Sequence, residues 1–128
     1  MKNNIKIILT ISIILLILDY IYISNFSNHF KNQIYKVQKK PLQMNIKTTI
    51  LCYILLIFGL YYFIIKENKS VSDAFILGIF VYGVYELVTI SLLSDWEYKT
   101  VIIDTLWGGI LFATTTHLIY SIFGINTY

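Results

Sequence analysis

Four long apolar stretches divide the chain of 128 residues, and they constrain its fold more than any other feature of the sequence. They cover residues 5–26, 46–65, 71–93 and 100–123. A helix needs about 20 apolar residues to cross the hydrocarbon core of a bilayer. Backbone polar groups in lipid must be satisfied within the segment, and no stretch alternates with a period of two. Each stretch is therefore predicted to be a membrane-spanning helix rather than a strand.

The composition points the same way. The chain is 57% hydrophobic and only 13% charged, and a soluble domain of this size would expose too much apolar surface. The sequence predicts a single transmembrane domain over residues 1–128, an all-α integral membrane protein built as a four-helix bundle. The connections at 66–70 and 94–99 are short, which forces neighbouring helices to be antiparallel in an up-down topology.

The long connection at residues 27–47 is basic, and the chain contains no arginine. Its lysines are Lys31, Lys36, Lys39, Lys40 and Lys47. Lysines placed between apolar runs suit anionic lipid headgroups rather than nucleic acid. Six lysines lie on the side of this connection and four on the other, which predicts that the 27–47 loop is cytoplasmic. His29 is expected to be solvated there, and Pro41 to end any interfacial helix.

Three acids interrupt the apolar stretches: Asp19, Glu86 and Asp104. A charged side chain at the centre of a spanning helix costs about 2.5–3.5 kcal/mol on insertion scales. With a rise of about 1.5 Å per residue, all three fall in the half of the bilayer nearer the 27–47 loop, although they come from three helices. Carboxylates that share a site repel one another, so at least one of them is expected to hold a proton.

Each acid has aromatic or polar companions at helical spacing, so the acidic faces can point toward one another and away from lipid. The predicted ligand-binding residues are Asp19, Tyr22, Tyr82, Tyr85, Glu86, Asp104 and Trp107. The second stretch adds a polar stripe at the same level, formed by Thr49, Cys52 and Tyr53. Small residues that would let helices approach closely are Gly78, Gly83, Gly108 and Gly109.

Several of these residues form motifs. One is the run Tyr82-Gly83-Val84-Tyr85-Glu86-Leu87-Val88-Thr89, and a second is Asp104-Thr105-Leu106-Trp107-Gly108. Trp96 lies between them, and Asp19 is followed three positions later by Tyr22. This pattern resembles the domain-of-unknown-function 2177 family of small four-helix membrane proteins over nearly the whole chain. The resemblance implies the fold and supplies no activity.

Three functions remain open. The first is a small transport or proton/cation-binding protein with an acidic intramembrane pocket. The second is a membrane-embedded lipid-modifying enzyme, which is disfavoured because no histidine lies at the level of the acids. The third is a structural or assembly protein without catalysis. No metal site or cofactor is predicted, since no metal-binding or phosphate-binding motif occurs. A pathway through four helices alone is narrow, so a homo-oligomer is an alternative to the monomer.

Overall fold

The computed structural model describes residues 2–127, and all regular structure in that range is helical. Four helices are long and apolar enough to cross a membrane. They are α1 (Lys2–Gln38), α2 (Ile46–Leu60), α3 (Val71–Leu92) and α4 (Tyr98–Phe123), and a π-helical turn, Tyr61–Ile65, continues α2. The predicted all-α membrane fold with four spans is thereby confirmed.

The first helix is much longer than its apolar stretch. It continues past Phe26 to Gln38, so residues 27–38, which were predicted as a connection, are helical and the helix ends before Pro41. A helix of 37 residues is about 55 Å long, whereas the hydrocarbon core is about 30 Å thick. The end of α1 therefore projects beyond the apolar layer. Hydropathy does not reveal this extension because its inward side chains are polar and find partners at the start of α4.

Local capping defines where the helices begin. The Asn45 side chain accepts a hydrogen bond from the Thr48 amide at 3.2 Å, and α2 starts directly after it. Ser70 caps α3 in the same way, with its hydroxyl accepting from the Asp73 amide at 3.0 Å. Such caps satisfy backbone donors that lack a partner within the helix. The first residue before α4, Glu97, has no such bond from its own side chain.

Glycine brings α3 and α4 into close contact. Gly78 faces the backbone of Gly108, and a Cβ atom at Gly78 would overlap the Gly108 carbonyl group. Gly83 lies farther along α3 and faces Thr105, which lies earlier in α4. Rising residue numbers in α3 thus meet falling ones in α4, and this pair is antiparallel. The up-down topology of all four helices stays a prediction.

The apolar core lies on one side of the three acids, toward the end of the bundle where α1 begins and α4 ends. Its fully buried members are Ile11, Leu15, Leu60, Ala74, Leu111, Phe112 and Ile119. The second helix contributes little to this core, because only Leu60 of α2 is buried. The core therefore closes the bundle beyond the acids. The π-helical turn that continues α2 adds buried Ile64 and Ile65 to it.

Candidate functional site

Asp19 joins three helices through its carboxyl group. It is only 6% exposed on α1. One of its oxygens accepts a hydrogen bond from the Tyr53 hydroxyl on α2, and the other accepts from the Trp107 indole nitrogen on α4 at 2.9 Å. Because a buried carboxylate without partners would be costly, these two donors explain how Asp19 is tolerated at this depth.

Asp104 is connected to Asp19 through a pair of aromatic rings. The Tyr22 hydroxyl donates to an Asp104 oxygen at 3.1 Å. The Tyr22 ring also stacks on Trp107, with ring centroids 4.6 Å apart and planes inclined by 2°. Since Trp107 donates to Asp19, the two acids are linked by one continuous set of contacts between α1 and α4.

Glu86 completes the group from α3. It is 1% exposed and accepts a hydrogen bond from the Trp96 indole nitrogen at 2.8 Å. Its carboxyl group also lies within hydrogen-bonding reach of Asp104. A hydrogen bond between two carboxyl groups requires a proton on one of them. We call Asp19, Glu86 and Asp104 the carboxyl cluster.

Gln33, in the extension of α1, caps the start of α4. It is 2% exposed, and its amide nitrogen donates to the Asp95 carbonyl oxygen at 2.7 Å. Its amide oxygen accepts from the Glu97 amide and from the Thr100 hydroxyl, each at 3.0 Å. One side chain thus replaces the missing local cap and fixes the turn that carries Trp96.

His29 lies one helical turn before Gln33 and is half-buried rather than solvated, so that prediction is wrong. Its Nε2 atom is 2.8 Å from the Thr100 hydroxyl oxygen. The Thr100 hydroxyl donates its single proton to Gln33, so His29 must donate to Thr100 through Nε2. We call the contacts of Asp19, Tyr22, His29 and Gln33 with α4 the polar seam.

A cavity of about 280 Å³ opens beside Asp19. It lies between α1, α2 and α3, and we call it the Asp19 cavity. The residues that line it are Asp19, Thr48, Thr49, Cys52, Tyr53, Leu56 and Tyr82. The carboxyl cluster is therefore reached from the first turns of α2, on the side of the bundle opposite the apolar core.

A family model described as "Predicted membrane protein (DUF2177)" matches residues 4–121. The chain belongs to this family. No curated protein and no solved structure matches the chain. Membership in DUF2177, together with four helices of membrane-spanning length, confirms that the chain is a multi-pass membrane protein. The orientation of residues 27–47 stays a prediction.

The structure brings together most of the ligand-binding residues predicted for this DUF2177 protein. Five form the hydrogen-bonded and stacked network: Asp19, Tyr22, Glu86, Asp104 and Trp107. Tyr82 lines the Asp19 cavity instead. The Tyr85 side chain is 61% exposed and makes no hydrogen bond to the carboxyl cluster. That these residues bind a ligand stays a prediction.

Two aromatic donors were not among the predicted ligand-binding residues of this DUF2177 protein. Trp96 entered the sequence analysis only as part of the family pattern, and its indole nitrogen donates to Glu86 on the preceding helix. Tyr53 was assigned only to the polar stripe on α2, and it bonds Asp19. The depth of that stripe was the signal for Tyr53, whereas nothing local marks Trp96, since its position depends on the Gln33 cap.

Among residues 2–127, no group of three or more His, Cys, Asp or Glu side chains is arranged to hold a metal ion. Glu86 and Asp104 face each other, but Asp19 is directed toward Tyr53 and Trp107. The polar groups that meet the acids are hydroxyl and indole donors.

Proposed function

We propose that this DUF2177 protein is a small transport or proton/cation-binding protein whose site is the carboxyl cluster. The observation that supports it is the connection of three carboxyl groups, from three helices, inside the membrane-spanning part of the bundle. Ionisable groups in spanning segments are costly, and they commonly mark ion or proton pathways. One acid would suffice to bond the helices together, so the presence of two more favours a function beyond helix packing.

The chemistry we propose for the cluster is reversible protonation. The Glu86 and Asp104 carboxyl groups lie within hydrogen-bonding reach of each other, and a bond between them would form only while one of them holds a proton. The Tyr22 hydroxyl, which donates to Asp104, retains lone pairs and can therefore also accept. Gain or loss of the shared proton would change which group Tyr22 bonds. Proton binding and the α1–α4 contact are coupled in this proposal.

Access in this proposal is one-sided. The Asp19 cavity reaches the cluster near the first turns of α2, while fully buried side chains such as Leu15, Leu60 and Leu111 fill the bundle beyond it. A bound proton or cation would return to the side from which it came unless the helices repack. We propose that repacking of α2 opens the core, because Leu60 is the one residue of α2 that is buried in it.

Infrared spectroscopy of the protein in vesicles tests the proposal across a pH series. We expect a protonated-carboxyl band near neutral pH that disappears in both Glu86→Gln and Asp104→Asn, because either substitution removes the shared proton. The matched control is Glu67→Gln, which changes an exposed acid in the α2–α3 turn and should leave the band intact. A spectrum in which every carboxyl group is ionised at neutral pH would refute a shared proton.

A second candidate is the structural or assembly role, and one observation favours it. Every acid of the cluster already accepts a hydrogen bond from an aromatic side chain, namely Tyr53, Trp107, Tyr22 or Trp96. Such a satisfied network could serve only to hold helices together. Proton flux into vesicles separates the two functions. Flux that Asp104→Asn abolishes without lowering thermal stability supports transport, and absence of flux in the unmodified protein supports the structural role.

We also propose that anionic lipid headgroups bind the end of α1 and the segment after it. Lys31, Lys36, Lys39 and Lys40 are all exposed there. Headgroups attract lysines that lie near the membrane surface by about 1 kcal/mol each. In this proposal the segment lies on the cytoplasmic side. The measurement is the anionic lipid retained by the purified protein.

A further inference from the structure

The Asp19 cavity has room for a small ligand. Its volume of about 280 Å³ corresponds to about nine water molecules at about 30 Å³ each. Three helices contribute to its wall, and Asp19, which is only 6% exposed, is one of the lining residues. The cavity is open to the outside of the bundle, so a ligand can enter it and reach Asp19.

The threonines of the cavity can only accept hydrogen bonds from a ligand. The Thr48 hydroxyl donates to the Asn45 carbonyl oxygen at 3.1 Å, and the Thr49 hydroxyl donates to the same oxygen at 2.8 Å. A hydroxyl group has one proton and two lone pairs. Because both protons are already used within the first turn of α2, these two side chains present lone pairs to the cavity.

The donors nearest Asp19 are used as well. The Tyr53 hydroxyl and the Trp107 indole nitrogen both donate to the Asp19 carboxyl group. An ionised carboxylate offers about four acceptor positions, and two are filled, so it can accept further bonds. The hydrogen-bonding capacity that remains around Asp19, Thr48 and Thr49 is therefore that of acceptors.

The local charge favours a cation. Asp19 carries a full negative charge when ionised, whereas the nearby start of α2 contributes about half a positive charge. Tyr53 and Tyr82 line the cavity, and aromatic faces attract cations within about 6 Å. A divalent metal ion is a poor match, because Asp19 is the only carboxylate on the cavity wall. The remaining class is a cation that brings its own N–H donors.

We propose that the Asp19 cavity binds a small primary ammonium ion, whose N–H groups donate to Asp19 and to the threonine oxygens. The inference rests on the proposed function, since it names the class of cation that enters beside the carboxyl cluster. The carboxylate supplies the opposite charge, and Thr48 and Thr49 supply direction. The cavity is specific for a ligand with N–H groups because the unfilled hydrogen-bonding positions around Asp19, Thr48 and Thr49 are all acceptors.

Cys52 reports on this cavity directly. It is the single cysteine of the chain, it is exposed, and it lies on the cavity wall. We would measure the rate at which a thiosulfonate reagent modifies it, with methylammonium, tetramethylammonium or sodium chloride present at equal ionic strength. Methylammonium should slow the modification several-fold. Tetramethylammonium has the same charge but no N–H group and should protect far less, as should sodium.

Two substitutions complete the test. Asp19→Asn should remove the protection by methylammonium, while Glu67→Gln should retain it. Should Asp19→Asn fail to fold, Thr49→Val replaces the hydroxyl with a methyl group of similar shape at a half-buried position. It should weaken protection, and Thr49→Ser should preserve it.

Equal protection by methylammonium and tetramethylammonium would overturn the inference, because charge alone would then explain binding. Absence of protection by any cation would overturn it as well. Neither outcome touches the proton shared by Glu86 and Asp104, which infrared spectra report separately. Loss of that proton with methylammonium protection intact would instead contradict the proposed protonation chemistry and leave the cavity as an ammonium site.

Discussion

α4 contacts its two neighbours by opposite means. Toward α3 it presents glycine, so that Gly108 meets Gly78 with no side chain between the backbones. Toward α1 it presents Trp107, Asp104 and Thr100, each of which makes a hydrogen bond across the polar seam. Lipid tails are as apolar as leucine, so burial alone does not drive spanning helices together. Close backbone approach holds α4 against α3, and hydrogen bonds hold α4 against α1.

The two contacts differ in what they can tolerate. Interhelical hydrogen bonds within a membrane contribute about 0.6 kcal/mol on average, so a single one in the polar seam can be lost at modest cost. The glycine contact is less tolerant of substitution, since an added side-chain atom meets backbone atoms that cannot rotate away. We infer that the α3–α4 contact sets the stability of the bundle, and that the polar seam sets register and chemistry.

The largest effect is expected at the glycine contact. Gly78→Ala places a methyl group against the Gly108 carbonyl. Overpacking costs about 1–3 kcal/mol, and we expect the upper end here because the backbone must shift. Gly59→Ala is the matched control, because a Cβ atom there has no neighbour within 4 Å. Thermal unfolding in detergent measures both. Equal, small changes would show that α3 and α4 adapt freely.

A smaller effect is expected when the cap of α4 is removed. Gln33→Leu leaves the Glu97 amide and the Asp95 carbonyl without their partner, at a cost of about 1–3 kcal/mol. It should also speed hydrogen exchange at the Glu97 amide. The control Gln38→Leu removes only exposed bonds to the Lys40 and Pro41 carbonyls and should leave that exchange unchanged. Unaltered exchange at Glu97 after Gln33→Leu would mean that α4 starts without help from α1.

The smallest effect on stability is expected at the surface of the α1 extension. Lys36 pairs with Glu97 at 3.3 Å, but both side chains are substantially exposed, and such pairs contribute at most about 1 kcal/mol. Lys36→Gln combined with Lys39→Gln and Lys40→Gln should leave thermal unfolding nearly unchanged and lower the anionic lipid retained after purification. Retention equal to that of the unmodified protein would exclude these lysines as the headgroup site.

The contrast between the two contacts also explains which features the sequence could predict. Four apolar stretches gave the four spans, because segment length and composition decide membrane insertion. The shared depth of Asp19, Glu86 and Asp104 followed from the helical rise alone. Gly78 and Gly108 were recognised as sites of close approach, because small residues have that role in membrane helices. Each of these inferences needs only local information.

The rest depended on contacts between distant parts of the chain. Hydropathy ended the first helix near Phe26, whereas α1 continues because Gln33 and His29 find partners on α4. The bond from Trp96 to Glu86 exists because that cap holds the α3–α4 turn in place. Helical spacing also placed Tyr85 beside the acids, but the rotation of α3 set by its glycines leaves Tyr85 exposed.

The two tryptophans of this protein each donate their indole N–H to a carboxyl group of the cluster. The fluorescence of Trp96 reports on Glu86, and that of Trp107 reports on Asp19. Indole emission responds to the charge and hydrogen bonding of its surroundings, so the natural fluorescence of the chain is an optical record of the state of both ends of the cluster. Replacing either indole by phenylalanine would leave the other as a single emitter, and the two ends could be followed in turn without any attached dye.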